Sequence, residues 1–129
     1  MIFTSNYARD GENPNAVAIS VRPPAWYTGR CFPSLAPTWQ MVNDVRRGKI
    51  THDQYDVLYF DLLKKRKLDP HKIVEELGED AVLLCYESPN QRCHRRLVAA
   101  WIKEHTGIDV PEKFLYDSEN KLLKDVFEF

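Results

Sequence analysis

Long apolar runs, paired cysteines, clustered glycines and a surplus of charge of either sign are all missing from this chain. No window approaches the roughly 18 consecutive apolar residues that a membrane span requires, so a spanning helix is not expected. Only three cysteines occur in 129 residues. That odd number, with no recognisable signal segment, points to reduced thiols and a cytoplasmic setting. With only five glycines, the chain has no Gly-rich phosphate loop, no dinucleotide fingerprint and no G-x-S-x-G elbow. The formal net charge of −1 gives no bulk attraction to nucleic acid or to a membrane surface.

What is present suits one globular unit, taken here as a single domain over residues 1–129 and large enough to bury a core without staples. Charge is unevenly spread. Ser20 to Ala36 holds Arg22 and Arg30 and no acid, and Ser88 to Lys103 holds Arg92, Arg95, Arg96 and Lys103 and no acid. If the two segments meet in space they form a local basic pocket. Partners would then be an anionic small molecule or a nucleic acid rather than a membrane. The sequence does not set the oligomeric state.

The hydrophobic pattern predicts strands at Ile2–Thr4, Ala16–Val21 and Ala81–Tyr86, each apolar on both faces as central strands are. Arg9 to Asn15 reads as a loop. Arg22 to Ala36, rich in proline, reads as irregular, with Trp26, Tyr27 and Phe32 draped over the sheet. A helix is expected from about Pro37 to Gly48 with Trp39, Val42 and Val45 as its stripe. Thr51-His52-Asp53-Gln54 is a capping box, with Ile50 and Tyr55 as its staple. The helix it opens should bury Tyr55, Leu58, Tyr59, Leu62 and Leu63. Lys64 to Lys67 closes that helix, in keeping with cations at a helix C-terminus. Asp69-Pro70 starts another helix that Gly78 stops. A helix bearing Leu97, Val98, Trp101 and Ile102 ends near Gly107, followed by a short strand around Ile108 to Val110 and an apolar tail expected to dock, partly helical. This alternation predicts a layered α/β domain with a mostly parallel central sheet flanked by helices.

The densest chemistry lies between Cys85 and Arg96, where a buried strand passes into a helix. Ligands in open α/β sheets sit at such junctions, beside the strand's carboxyl end and the helix's positive end. The helix starts either at Pro89, capped by Ser88, or nearer Cys93. In the second case Cys93, His94 and Arg95 line its first turn, where free N–H groups favour anions and lower a thiol pKa. Each residue has a plain structural role to set against a functional one. Cys85 and Cys93 could be core thiols, His94 a satisfied imidazole, and Glu87 half of an ion pair. In functional terms Glu87 is a general acid or base, Cys93 a nucleophile or polar contact, and His94 its neighbour. Arg22 and Arg95 then form an anion clamp. Standard templates do not fit: a phosphatase loop starting at Cys85 would need arginine at position 91, where Gln91 stands. A zinc site normally shows Cys-x-x-Cys or clustered histidines, and Cys85, Cys93, His94 and Cys31 follow no such spacing.

Leu83-Leu84-Cys85-Tyr86-Glu87, then five residues, then Cys93-His94-Arg95-Arg96-Leu97-Val98-Ala99 resembles the signature of a bacterial and phage family, domain of unknown function family 488. Ile19-Ser20-Val21-Arg22-Pro23 resembles that family's strand followed by Val-Arg and a proline-containing loop. The likeness is specific over about residues 81–110 and looser upstream, and the tail from about residue 111 lies outside it. Where family members often show Gly-His-Ser this chain has Thr4-Ser5-Asn6-Tyr7. The resemblance implies a site of Cys85, Glu87, Cys93, His94, Arg95 and Arg22, and implies no reaction. Tyr7 and Trp26 join the substrate-contacting candidates.

Three functions follow as expectations. The first is a small enzyme acting on a phosphate-bearing or otherwise anionic substrate, such as a nucleotide or nucleic-acid end. The second is a non-catalytic module that binds nucleic acid or protein through Trp26, Tyr27 and the arginines. The third is a metal site of Cys85, Cys93 and His94. The sequence requires no cofactor and assigns no metal ligand by spacing.

Overall fold

The computed structural model describes residues 1–86 and 93–116. Its elements run β1 (Phe3–Asn6), α1 (Tyr7–Asp10), β2 (Ala16–Ala18), β3 (Arg30–Cys31), α2 (Trp39–Arg46), α3 (His52–Lys65), α4 (Pro70–Leu77), β4 (Val82–Cys85) and α5 (His94–Thr106). The four strands form one sheet in the order β1-β4-β2-β3, parallel throughout. The predicted parallel α/β domain is therefore present. The last strand in sequence lies at the sheet's interior, with Phe3 opposite Val82 on one side and Ala16 opposite Val82 on the other.

Alternation along the strands divides the core in two. Val17, Ile19 and Leu83 face one way, into a cluster with Met41 of α2, Tyr59 and Leu63 of α3, Ile73 and Leu77 of α4, and Val98 and Ile102 of α5. Phe3, Ala16, Ala18, Val82 and Leu84 face the other way, where Tyr7, Tyr27 and Tyr116 cover them. One face is thus helical and the other largely aromatic loop.

Helix boundaries follow the sequence cues. Thr51 accepts from the Gln54 backbone N–H while the Gln54 side chain accepts from the Thr51 N–H, completing the box. Thr51→Ala should therefore destabilise the protein by about 1 kcal/mol, measurable by urea denaturation, and an unchanged midpoint would show the box to be idle. Asp69 caps α4, and α5 ends on Gly107 at φ 77°, a left-handed geometry that glycine takes without penalty.

Several expectations need correction. β1 starts one residue late and runs to Asn6, and β2 stops at Ala18. The stretch expected to be irregular contains β3 and a 3-10 turn over Pro33–Leu35. That turn is fastened from α3 and the residue beyond it: Tyr59 donates its hydroxyl to the Leu35 carbonyl at 2.6 Å, and Arg66 donates to the Ser34 and Ala36 carbonyls at 2.8 and 2.6 Å. Arg9 and Asp10, read as loop, close the short α1, which Asn6 caps. No strand forms at Ile108 to Val110. Val110 instead packs into the helical-side cluster. A single parallel bridge joins Thr4 to Glu112, made by the Thr4 N–H to the Pro111 carbonyl. Proline has no N–H to extend such a ladder. Trp39 is 57% exposed, because Thr38 caps α2 and Met41 takes the inward position. Leu58, at 43% exposed, is likewise off the buried face of α3. The start of the tail docks as expected, with Tyr116 edge-on to Phe3 at 5.1 Å. Its continuation, residues 117–129, lies outside the described residues.

Candidate functional site

β2 and β4 are neighbours, so the chain leaving each emerges at the same end of the sheet. From β2 come Ser20, Val21 and Arg22. From β4 comes Tyr86, whose hydroxyl donates to the Arg22 carbonyl at 2.5 Å. Helix α5 begins beside them with Cys93 as its N-cap, extended at φ −154°, ψ 153° and making no capping bond of its own. Of the two possible helix starts, the later one is observed. Helices α2 and α3 stand opposite, and a cavity of about 770 Å³ opens between them and the strand ends. Cys85, Cys93 and His94 form one end of its lining. Arg22 and Arg46 bring positive charge, while Trp39 and Tyr55 supply aromatic wall.

His94 is fixed firmly. Its Nε2 lies 2.6 Å from the Ile19 carbonyl, a contact that requires Nε2 to carry the proton and donate. Nδ1 is then left with its lone pair, 3.7 Å from the Cys93 sulfur. The Tyr59 ring meets the imidazole edge-on at 5.6 Å. Burial lowers the His94 pKa to about 4, partly opposed by the Ile19 carbonyl and reinforced by the nearby Arg95. At neutral pH the ring is therefore uncharged.

The expected site residues separate into three groups. Cys85, Cys93, His94 and Arg22 converge on the cavity. Arg95 is 0% exposed and does not line it. Its Nε donates to Glu112 at 3.1 Å and its Nη1 to the Cys85 sulfur at 3.0 Å. Arg95 thus braces the cysteine from behind instead of reaching into the opening. The cause is helical phase, since residues 94 and 95 differ by about 100° around the axis. Tyr7 also stands behind the wall. Its hydroxyl meets Ser20 at 2.5 Å, its ring leans on Tyr86 at 4.9 Å, and burial pushes its pKa up to about 12. Trp26, 54% exposed, lies away from the cavity against Gly11. Glu87 and Arg92 lie outside the described residues.

The cysteine expectation changes. Cys31 is free and exposed, but the sulfurs of Cys85 and Cys93 face each other at bonding distance. Three independent reduced thiols are therefore not what the structure presents. Cys85 is buried, as a core thiol would be, yet it is one of the residues lining the cavity.

Sequence reading missed the far wall: Trp39, Arg46, His52, Tyr55 and Asp56. Trp39, Val42 and Arg46 lie at i, i+3 and i+7 on α2, one helical face. His52 and Asp56 lie at i and i+4 on α3. Those spacings were legible, but nothing in them said that the faces turn toward a cavity.

A family model described as the active DUF488-N3 subclade, DUF488-N3a, matches residues 9–106. The chain belongs to this family. The matched span includes every residue lining the cavity and leaves out β1 and the bridge at Glu112. Membership thus extends well upstream of the signature at Cys85 to Ala99. No curated protein and no solved structure matches the chain. Among the described residues no helix is long and apolar enough to cross a membrane.

Proposed function

We propose that this DUF488-N3a member is a small enzyme acting on a phosphate-bearing or otherwise anionic substrate, such as a nucleotide or nucleic-acid end. One observation carries the reading: a single cavity joins two guanidiniums, Arg22 and Arg46, to a sulfur–imidazole pair, Cys93 and His94, across aromatic walls. Guanidinium forks suit phosphate oxygens. Trp39 and Tyr55 offer faces on which a flat base can stack. The volume is ordinary for a site that encloses a small molecule.

At the other end the α5 N-terminus favours negative charge on Cys93. The neutral His94 presents an acceptor there. Glu87, two residues beyond Cys85, keeps its proposed part as general acid or base. A cytoplasmic setting accords with thiol chemistry. Trp26, which a binding module would use, lies apart from this cavity.

Binding and turnover across a panel of nucleotides, oligonucleotide ends and sugar phosphates test the proposal. Arg22→Ala and Arg46→Ala should each weaken the best ligand by about tenfold, the loss of one charge-assisted contact in a partly solvated site. Cys93→Ser should abolish turnover while leaving affinity within a few-fold. Arginine variants that bind every anion as well as the parent would overturn the reading.

A further inference from the structure

Cys85 Sγ, Cys93 Sγ and His94 Nδ1 all lie within 4.8 Å of one another. We propose that these three atoms hold a thiophilic divalent cation, Zn²⁺ by donor type, with one coordination position open to the cavity. The inference rests on the proposed function only for the use of the ion, and not for its binding.

Four observations support it. First, the Cα atoms of Cys85 and Cys93 stand 7.4 Å apart, beyond the roughly 4.4–6.8 Å across which two cysteines join directly without backbone movement. Their sulfurs nonetheless face each other in direct contact, and the ion would take the place of that contact in the reduced protein. Second, the 3.7 Å between the Cys93 sulfur and His94 Nδ1 is close to the edge of about 3.5 Å in a tetrahedron with Zn–S near 2.3 Å and Zn–N near 2.05 Å. An ion so placed would set the two sulfurs about 3.8 Å apart.

Third, the outer partners are those a metal ligand uses. His94 donates its other ring N–H to the Ile19 carbonyl at 2.6 Å, which aims Nδ1 and fixes its tautomer. Arg95 donates to the Cys85 sulfur at 3.0 Å and favours its thiolate. Glu112 accepts from Arg95 Nε at 3.1 Å and balances the guanidinium charge. Two thiolates and a divalent ion then sum to zero beside a neutral ion pair, an arrangement a low-dielectric interior tolerates.

Fourth, all three donor residues line the cavity. Three protein ligands with a fourth position toward solvent is the pattern of a catalytic rather than a structural zinc site. Sulfur and imidazole donors select zinc over magnesium, calcium or manganese, which prefer oxygen. The open position would take water or a substrate oxygen from the cavity that Arg22 and Arg46 also line.

The test uses the full chain, purified without chelator, reduced, given zinc chloride and dialysed. One zinc per chain by elemental analysis is expected. Cobalt loading should give thiolate-to-metal charge-transfer absorption that Cys31→Ser retains and Cys93→Ser, confirmed folded by circular dichroism, loses. Because Cys93 is the half-buried ligand, its serine variant perturbs the core least. Thiol titration gives a second readout: chelator, not reductant, should expose the thiols of Cys85 and Cys93. Three outcomes overturn the proposal: no metal above background in the reduced protein, a cobalt spectrum indifferent to Cys93→Ser, or thiols released only by reductant. Metal lost while the anion panel still binds sinks the ion alone, and metal retained while no anion binds sinks the substrate reading alone.

Discussion

Arg95→Ala should lower the free energy of unfolding by about 3–5 kcal/mol, the range for breaking a buried ion pair by removing one partner. Arg95 is wholly buried, and its guanidinium serves both the Glu112 carboxylate and the Cys85 sulfur. Alanine would leave that carboxylate, itself largely shielded, with Arg96 at 3.6 Å as its remaining cation among the described residues. It would also leave a void between α5 and β4. The Thr4–Glu112 bridge should loosen with it, since Glu112 would lose its nearest cation. Urea denaturation should show a lower midpoint with little change in slope. Arg95→Met with Glu112→Leu should recover part of the loss, because apolar replacement of a complete pair costs far less than breaking it. A loss below about 1 kcal/mol for Arg95→Ala would place the pair in the weak, solvent-screened class and contradict its burial.

Tyr59→Ala is expected to cost a similar amount, about 3–5 kcal/mol, as large-to-small changes at buried aromatics do. The ring is fully buried in the helical-side core, lies parallel to Tyr55 at 6.5 Å and edge-on to His94 at 5.6 Å. Tyr59→Phe separates the two contributions. It keeps the ring and deletes the hydroxyl that donates to the Leu35 carbonyl at 2.6 Å, so about 1–2 kcal/mol should be lost, the cost of an unpaired buried acceptor. Hydrogen exchange should then rise selectively around residues 33–36, which that bond helps to fasten. A phenylalanine variant as stable as the parent would mean that water or Arg66 takes over the carbonyl.

The sequence made the scaffold legible wherever a local rule decides the outcome. Thr51 with Gln54, Asp69 with Pro70, and Gly107 each fix a helix end through bonds to near neighbours, and the structure has those ends. Val82 to Cys85 was readable as a buried strand because both of its faces are apolar. Half of the candidate site was equally plain, because Cys85, Cys93, His94 and Arg22 flank strand ends that pair as neighbours. Legibility failed where tertiary contact decides. The phase of α5 buries Arg95 and directs it to Glu112, seventeen residues further on. The exposure of Trp39 depends on which face of α2 meets the core. Cysteine spacing gave no metal signature because the donors come from a strand end and a helix cap, elements that only the parallel sheet brings together. Residue type alone points to Tyr7 and Trp26, and type does not say which side of a wall a ring occupies.

The position of β4 also governs how the molecule can be made. Phe3 and Val82 pair across roughly eighty positions of chain, and β4 must slide between two strands synthesised long before it. A nascent polypeptide ending ahead of Val82 therefore has β1 on one side, the β2–β3 pair on the other, and no strand to join them. Such distant pairing slows folding, so assembly should wait until most of the sequence has left the ribosome. The same late segment delivers Cys85 and then Cys93 and His94, so the candidate site and a finished sheet arrive together.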